Sequence, residues 1–125
     1  KANKQPFVEC WGNGSSLREF THSDDIAKIL LFLLESYDSE APINIGNVEE
    51  VSIKQVAEML CEFLGFKGNI FWNTQKPSGQ HRKPSDNSRL VELGWNAGKY
   101  VKLQNGLKSA CEWFMINYPN VRGVA

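Results

Sequence analysis

The strongest constraint on this chain is an unbroken apolar run, Ile29-Leu30-Leu31-Phe32-Leu33-Leu34, inside a segment with clear helix signals. Ser23 can cap such a helix by accepting from its free backbone N–H groups. Asp24 and Asp25 complement the positive end of its dipole. The body, residues 26–36, is apolar nearly all round, and a helix of that kind needs cover on more than one side. The remainder of a 125-residue chain hardly supplies that cover, so the run points to partner structure outside this sequence. It is also much shorter than the ~20 apolar residues that span a bilayer, and no membrane partner is expected.

The segments around the helix alternate between strand and helix signals. Residues 1–5 are polar and read as a frayed lead-in. Phe7 to Trp11 favours a strand, Gly12-Asn13-Gly14-Ser15-Ser16 a turn, and Leu17 to His22 a second strand, which together predict a hairpin. Pro42-Ile43-Asn44-Ile45-Gly46-Asn47 reads as a short strand after the helix, so a β-α alternation with parallel pairing is expected. Ser52 and Gln55 have the spacing of a capping box. The helix they open carries Val56, Met59, Leu60, Phe63 and Leu64 at helical spacing and ends at Gly65. Residues 69–73 form another strand candidate, and residues 75–84 a polar loop. Ser85 and Asp86 open a short helix closed by Gly94, and Leu103, Leu107, Ala110, Cys111 and Phe114 mark a last helix stopped by Pro119.

Charge narrows the function classes. Fourteen basic and fourteen acidic side chains give a formal net charge of +0, which argues against a nucleic-acid binder. Any anion site must be local. Cys10, Cys61 and Cys111 are far apart and in no metal-ligand spacing, so free thiols in a reducing, cytoplasmic setting are expected and no metal site. Gly12-x-Gly14 lacks a third glycine at dinucleotide-binding spacing and lies between strands. None of Tyr37, Tyr100 and Tyr118 has a lysine four residues on, and the chain holds no recognisable catalytic group.

Binding features are better supported. Arg18, on a strand beside a glycine turn, could bond two phosphate oxygens at once, or simply pair with Glu19. Trp11 could stack on a ligand ring or belong to a core. Arg82 and Lys83 could converge on a diphosphate or remain solvated. Asp24 and Asp25 read as capping charges.

Taken in order, Trp11-Gly-x-Gly-x-x-x-Arg18-Glu-Phe-x-His22-x-Asp-Asp25, Ile43-Asn44-Ile45-Gly46, Ser52-Ile53, Lys76-Pro77-Ser78-Gly79, Arg82-Lys83, Leu93-Gly94-Trp95 and Trp113-Phe114 resemble a known pattern. It is the C-terminal part of the extended short-chain dehydrogenase/reductase family, in its branch of NADPH-dependent epimerase-reductases that convert GDP-4-keto-6-deoxy-D-mannose to GDP-L-fucose. The resemblance covers nearly the whole chain. It implies an α/β, Rossmann-type enzyme of which residues 1–125 are the C-terminal substrate-binding portion. Residues 22–47 would then pack on or belong to a dinucleotide-binding domain that lies upstream. It implies a GDP-sugar substrate, NADP held by that upstream portion, and a homodimer as the complete enzyme. By position it assigns Trp11, Arg18, Ser78, Arg82 and Lys83 to the substrate site, with Ser78 standing where the family usually has Asp. It assigns no catalytic residue to this chain. Two rival readings stay open: the substrate domain of another nucleotide-sugar epimerase or dehydratase, and a non-catalytic binding module.

Overall fold

The chain was analysed as a computed structural model that describes residues 6–122; the polar lead-in at residues 1–5 lies outside them. Strand β1 (Phe7–Trp11) does not turn back on its neighbour. It pairs in parallel with β4 (Asn69–Asn73), in the register Phe7 with Asn69 through Trp11 with Asn73. Strand β2 (Leu17–Glu19) pairs antiparallel with β3 (Glu50–Ser52). The expected hairpin is therefore replaced by two separate two-stranded ladders.

The glycines explain the difference. Gly12 and Gly14 do take positive φ, +76° and +74°. Instead of closing a hairpin, they clear space for distant groups. A Cβ on Gly14 would lie 2.6 Å from the Trp72 ring, and one on Gly12 would lie 2.8 Å from the Ser78 Cα. The turn is thus built for close approach of two other segments.

Helix α1 (Ser23–Ser36) starts as expected, but its cap is His22, whose Nδ1 accepts from the Asp24 N–H at 3.2 Å. Nor is Asp25 merely a dipole charge. It is 2% exposed, and its carboxylate accepts from the Val101 N–H at 2.7 Å, with the Lys28 ammonium at 3.6 Å. Asp25 therefore fastens the first turn of α1 to the segment leading into α4 (Leu103–Asn117).

Along α1 only Ile29 is a buried apolar residue, while Leu30, Leu31 and Leu34 face outward, Leu34 at 82% exposure. The segment 42–47 forms no strand: Ile43 and Ile45 are half-buried, but among the described residues no ladder partner is in place. Its links include Asn44 to the Asp86 carbonyl, Arg89 of α3 (Ser88–Glu92) to the Pro42 carbonyl, and Asn47 to the Phe20 carbonyl.

The capping box of α2 (Ile53–Phe63) is present, with the Gln55 N–H donating to Ser52 Oγ and the Ser52 N–H to Gln55 Oε1. Gly65 follows with φ of +60°. Helix α3 begins at Ser88, two residues after Asp86, because the Asp86 carboxylate caps the Ser88 N–H from outside. The buried apolar side chains Ile29, Val56, Leu90 and Cys111 come one from each of the four helices, and Phe32, Trp95 and Tyr100 form tilted aromatic pairs.

Replacing Asp25 by Ala leaves the Val101 N–H without its acceptor, which should lower stability by about 1–3 kcal/mol. A urea midpoint for D25A equal to that of the unsubstituted protein would show that the link contributes nothing.

Candidate functional site

The turn at residues 12–16 is held from two sides. Beneath it, the first two free N–H groups of α2 donate to its carbonyls, Ile53 to Ser16 at 3.0 Å and Lys54 to Gly14 at 2.9 Å. Those N–H groups, often an anion site at a helix start, are therefore already satisfied. Over it runs the polar loop of residues 76–83, fixed at successive points. Ser16 Oγ donates to the Ser78 carbonyl at 3.1 Å, the Leu17 N–H to that of His81 at 2.8 Å, and Arg18 to that of Gln80 at 2.8 Å.

Arg18 is thus half-buried beneath Gly79 and Gln80, and it also donates to the Leu17 carbonyl. The alternative of an Arg18–Glu19 pair is not realised. Glu19 instead accepts from the Ser85 N–H at 2.9 Å and from its hydroxyl. A guanidinium has five N–H donors, and these two carbonyls leave others for a ligand.

The far end of the loop is held by a charge problem. Glu19 stands directly opposite Glu50 in the β2–β3 ladder, and like charges at such positions repel. Ser85 satisfies the first carboxylate. Arg82 clamps the second, with Nε at 2.7 Å and 3.0 Å from its two oxygens. This bond, more than the Coulomb attraction, holds the Glu50 carboxyl below the usual glutamate range and raises the Arg82 guanidinium. Arg82, read from the sequence as a diphosphate contact, is therefore committed first to the fold.

Lys83 is exposed, and among the described residues no carboxylate lies within ion-pair distance of it. Trp11, at the carboxyl end of β1, is not core: it is 63% exposed, with the Lys76 ammonium 5.5 Å from its ring centroid. Ser78 is exposed as a residue, and both its Cα and its Oγ lie against Gly12. The structure so ties Ser78 and the ends of the loop to the turn between Trp11 and Arg18. Sequence reasoning overlooked Glu50, whose partner is 32 residues away, and gave Lys76 no role although it stands in the quoted loop motif.

The surface is open. Two cavities, beside Tyr37 and Arg89 and beside Phe20 and Leu107, are lined by none of these five residues. Nor do the residues present fit a dinucleotide. After Gly14 the chain enters β2 instead of a helix, and the space the glycines open is taken by Trp72 and Ser78. Among the described residues no cluster of ligating side chains could hold a metal ion, and no helix is long and apolar enough to cross a membrane.

Residues 1–46 match the model of the NAD dependent epimerase/dehydratase family. The chain is 42% identical to GDP-L-fucose synthase 1 of Arabidopsis thaliana, over 96% of this chain and 36% of that protein. It is 40% identical to the GDP-L-fucose synthase of Sinorhizobium fredii, over 88% of this chain and 34% of that one. Among solved structures it is similar to a GDP-L-fucose synthetase from Naegleria fowleri bound to NADP. There the TM-score is 0.86 at 33% identity, over 93% of this chain and 36% of that one. The chain spans about a third of the length of the curated relatives it matches.

The Arg82–Glu50 clamp has a pH dependence of definite sign. Because the folded Glu50 carboxyl is held low, its contribution is complete above the ordinary glutamate pKa and is lost as pH falls through the lowered value. The Leu17 amide, which donates to the His81 carbonyl of this loop, should therefore lose hydrogen-exchange protection on acidification. In E50Q that protection should already be reduced at neutral pH. Equal protection in E50Q and the unsubstituted protein at pH 7 would show that the clamp does not hold the loop.

Proposed function

We propose that the chain, whose residues 1–46 match the NAD dependent epimerase/dehydratase family, is the GDP-sugar-binding C-terminal part of an NADPH-dependent epimerase-reductase. In this reading the complete enzyme converts GDP-4-keto-6-deoxy-D-mannose to GDP-L-fucose. The observation that carries the reading is the loop of residues 76–83. It bears Ser78 and Lys83, is fastened onto Arg18, and starts where β1 ends in Trp11. Ligands of parallel sheets gather outside the carboxyl ends of the strands, which is where this loop lies.

Within that site Arg18 supplies its remaining N–H donors and Lys83 its free ammonium to the diphosphate, and Trp11 supplies an aromatic surface. Ser78 offers a hydroxyl beside Gly12. Arg82 keeps the loop in place through Glu50. The diphosphate does not react, so its contacts act by positioning the sugar for groups elsewhere in the enzyme. NADP and the reacting side chains belong to the upstream portion in this proposal, consistent with a surface here that does not fit a dinucleotide.

The same proposal accounts for residues 22–47. The outward Leu30, Leu31 and Leu34 are covered by the dinucleotide domain, and the unpaired segment at Ile43 and Ile45 joins its sheet. The three free thiols support a reducing, cytoplasmic setting.

The test is GDP and NADPH binding by the full-length protein, measured by titration calorimetry. Losing a charged donor to phosphate costs about 1.5–3 kcal/mol, so R18A should bind GDP at least ~10-fold more weakly. NADPH affinity should stay within about twofold. GDP affinity unchanged in R18A removes Arg18 from the site.

A further inference from the structure

We propose that Lys76 is a positioning residue that holds the Trp11 ring in the orientation a nucleoside diphosphate meets. The inference rests on the reading of this surface as a GDP-sugar site. It goes beyond that reading by giving a role to Lys76, which the loop motif contains but to which it assigned none, and by saying through which group it acts.

The placement is built by the backbone. Trp11 and Asn73 are register partners at the carboxyl ends of β1 and β4. One carbonyl, that of Asn73, accepts from the Gly12 N–H at 3.0 Å and from the Lys76 N–H at 3.1 Å. The Asn73 side chain adds two more links, accepting from the Gln75 N–H at 3.1 Å and donating to Glu9 at 2.7 Å. The tight turn out of β4 is thereby fixed to the residues flanking Trp11, and it delivers the Lys76 ammonium to within 5.5 Å of the indole centroid.

Neither partner has a competing engagement. Among the described residues no carboxylate lies within ion-pair distance of Lys76, and no other aromatic ring pairs with Trp11. A ring that is 63% exposed has little packing to fix its rotamer. A cation over the face of an exposed indole is a modest but directional constraint, worth a factor of about two to five in an equilibrium constant. It is the only such restraint on Trp11 among the described residues.

Affinity for GDP, measured by calorimetry on the full-length protein, tests the assignment in a double-substitution cycle with circular dichroism confirming the fold of each variant. K76M, which keeps the stem and removes the charge, should weaken GDP binding about two- to fivefold. K76R should restore it to within twofold, because the guanidinium also stacks on indole. In a W11L background, K76M should change nothing further, since the group it acts through is gone. An undiminished K76M effect in W11L overturns the proposal, because Lys76 would then act independently of the ring. So does a K76M variant with full affinity when W11L is weakened. Failure of the unsubstituted protein to bind GDP at all defeats the functional reading itself, and this assignment with it.

Discussion

Everything at the candidate site depends on one ladder, the parallel pairing of β1 with β4. Parallel pairing brings two carboxyl ends to the same edge, so Trp11 and Asn73 finish side by side and the segments leaving them must diverge there. An antiparallel partner would have put a carboxyl end beside an amino end and separated the glycine turn from the polar loop. With both at one edge, the Asn73 carbonyl can serve the two at once, accepting from Gly12 and from Lys76. The glycines then do steric work, admitting Trp72 and Ser78 where any side chain would collide.

A second constraint is electrostatic. The β2–β3 ladder sets Glu19 against Glu50, which is unfavourable in isolation. The resolution brings Arg82 and Ser85 down from the same stretch of chain, one to each carboxylate. An arrangement that looks costly in the ladder thus fixes the course of a loop without burying an ion pair. Because both ends of the Arg82–Glu50 pair contact water, its role is geometric more than energetic.

Features set by neighbouring residues were legible in the sequence. The Ser52–Gln55 capping box, the strand at residues 7–11, the strand at residues 69–73 and the stop at Gly65 all rest on signals a few residues long. The hairpin failed because Gly12-Asn13-Gly14 is also what close approach by a distant segment requires, and adjacency in sequence cannot separate the two uses. His22 displaced Ser23 as cap since an imidazole nitrogen can accept as a hydroxyl does. The segment at residues 42–47 has strand composition but lacks a partner here, and a strand is defined by pairing. Of the candidate residues, Trp11, Arg18 and Ser78 were proposed by pattern. The carbonyls that engage Arg18, the carboxylate that engages Arg82 and the cation over Trp11 were not, since each is a relation between segments.

The hydrogen bonds that lay the loop over the turn join residues 62 apart in sequence, Ser16 to Ser78 and Arg18 to Gln80, and the Glu19–Ser85 bond joins residues 66 apart. Closing a loop of that length carries an entropic cost before any contact rewards it. The hydrogen bonds within the helices between, α1 and α2, are local by contrast. The candidate surface accordingly exists only where segments distant in sequence have met. It cannot be recovered by excising the turn or the loop as a peptide, because each supplies only one side of every bond that builds it.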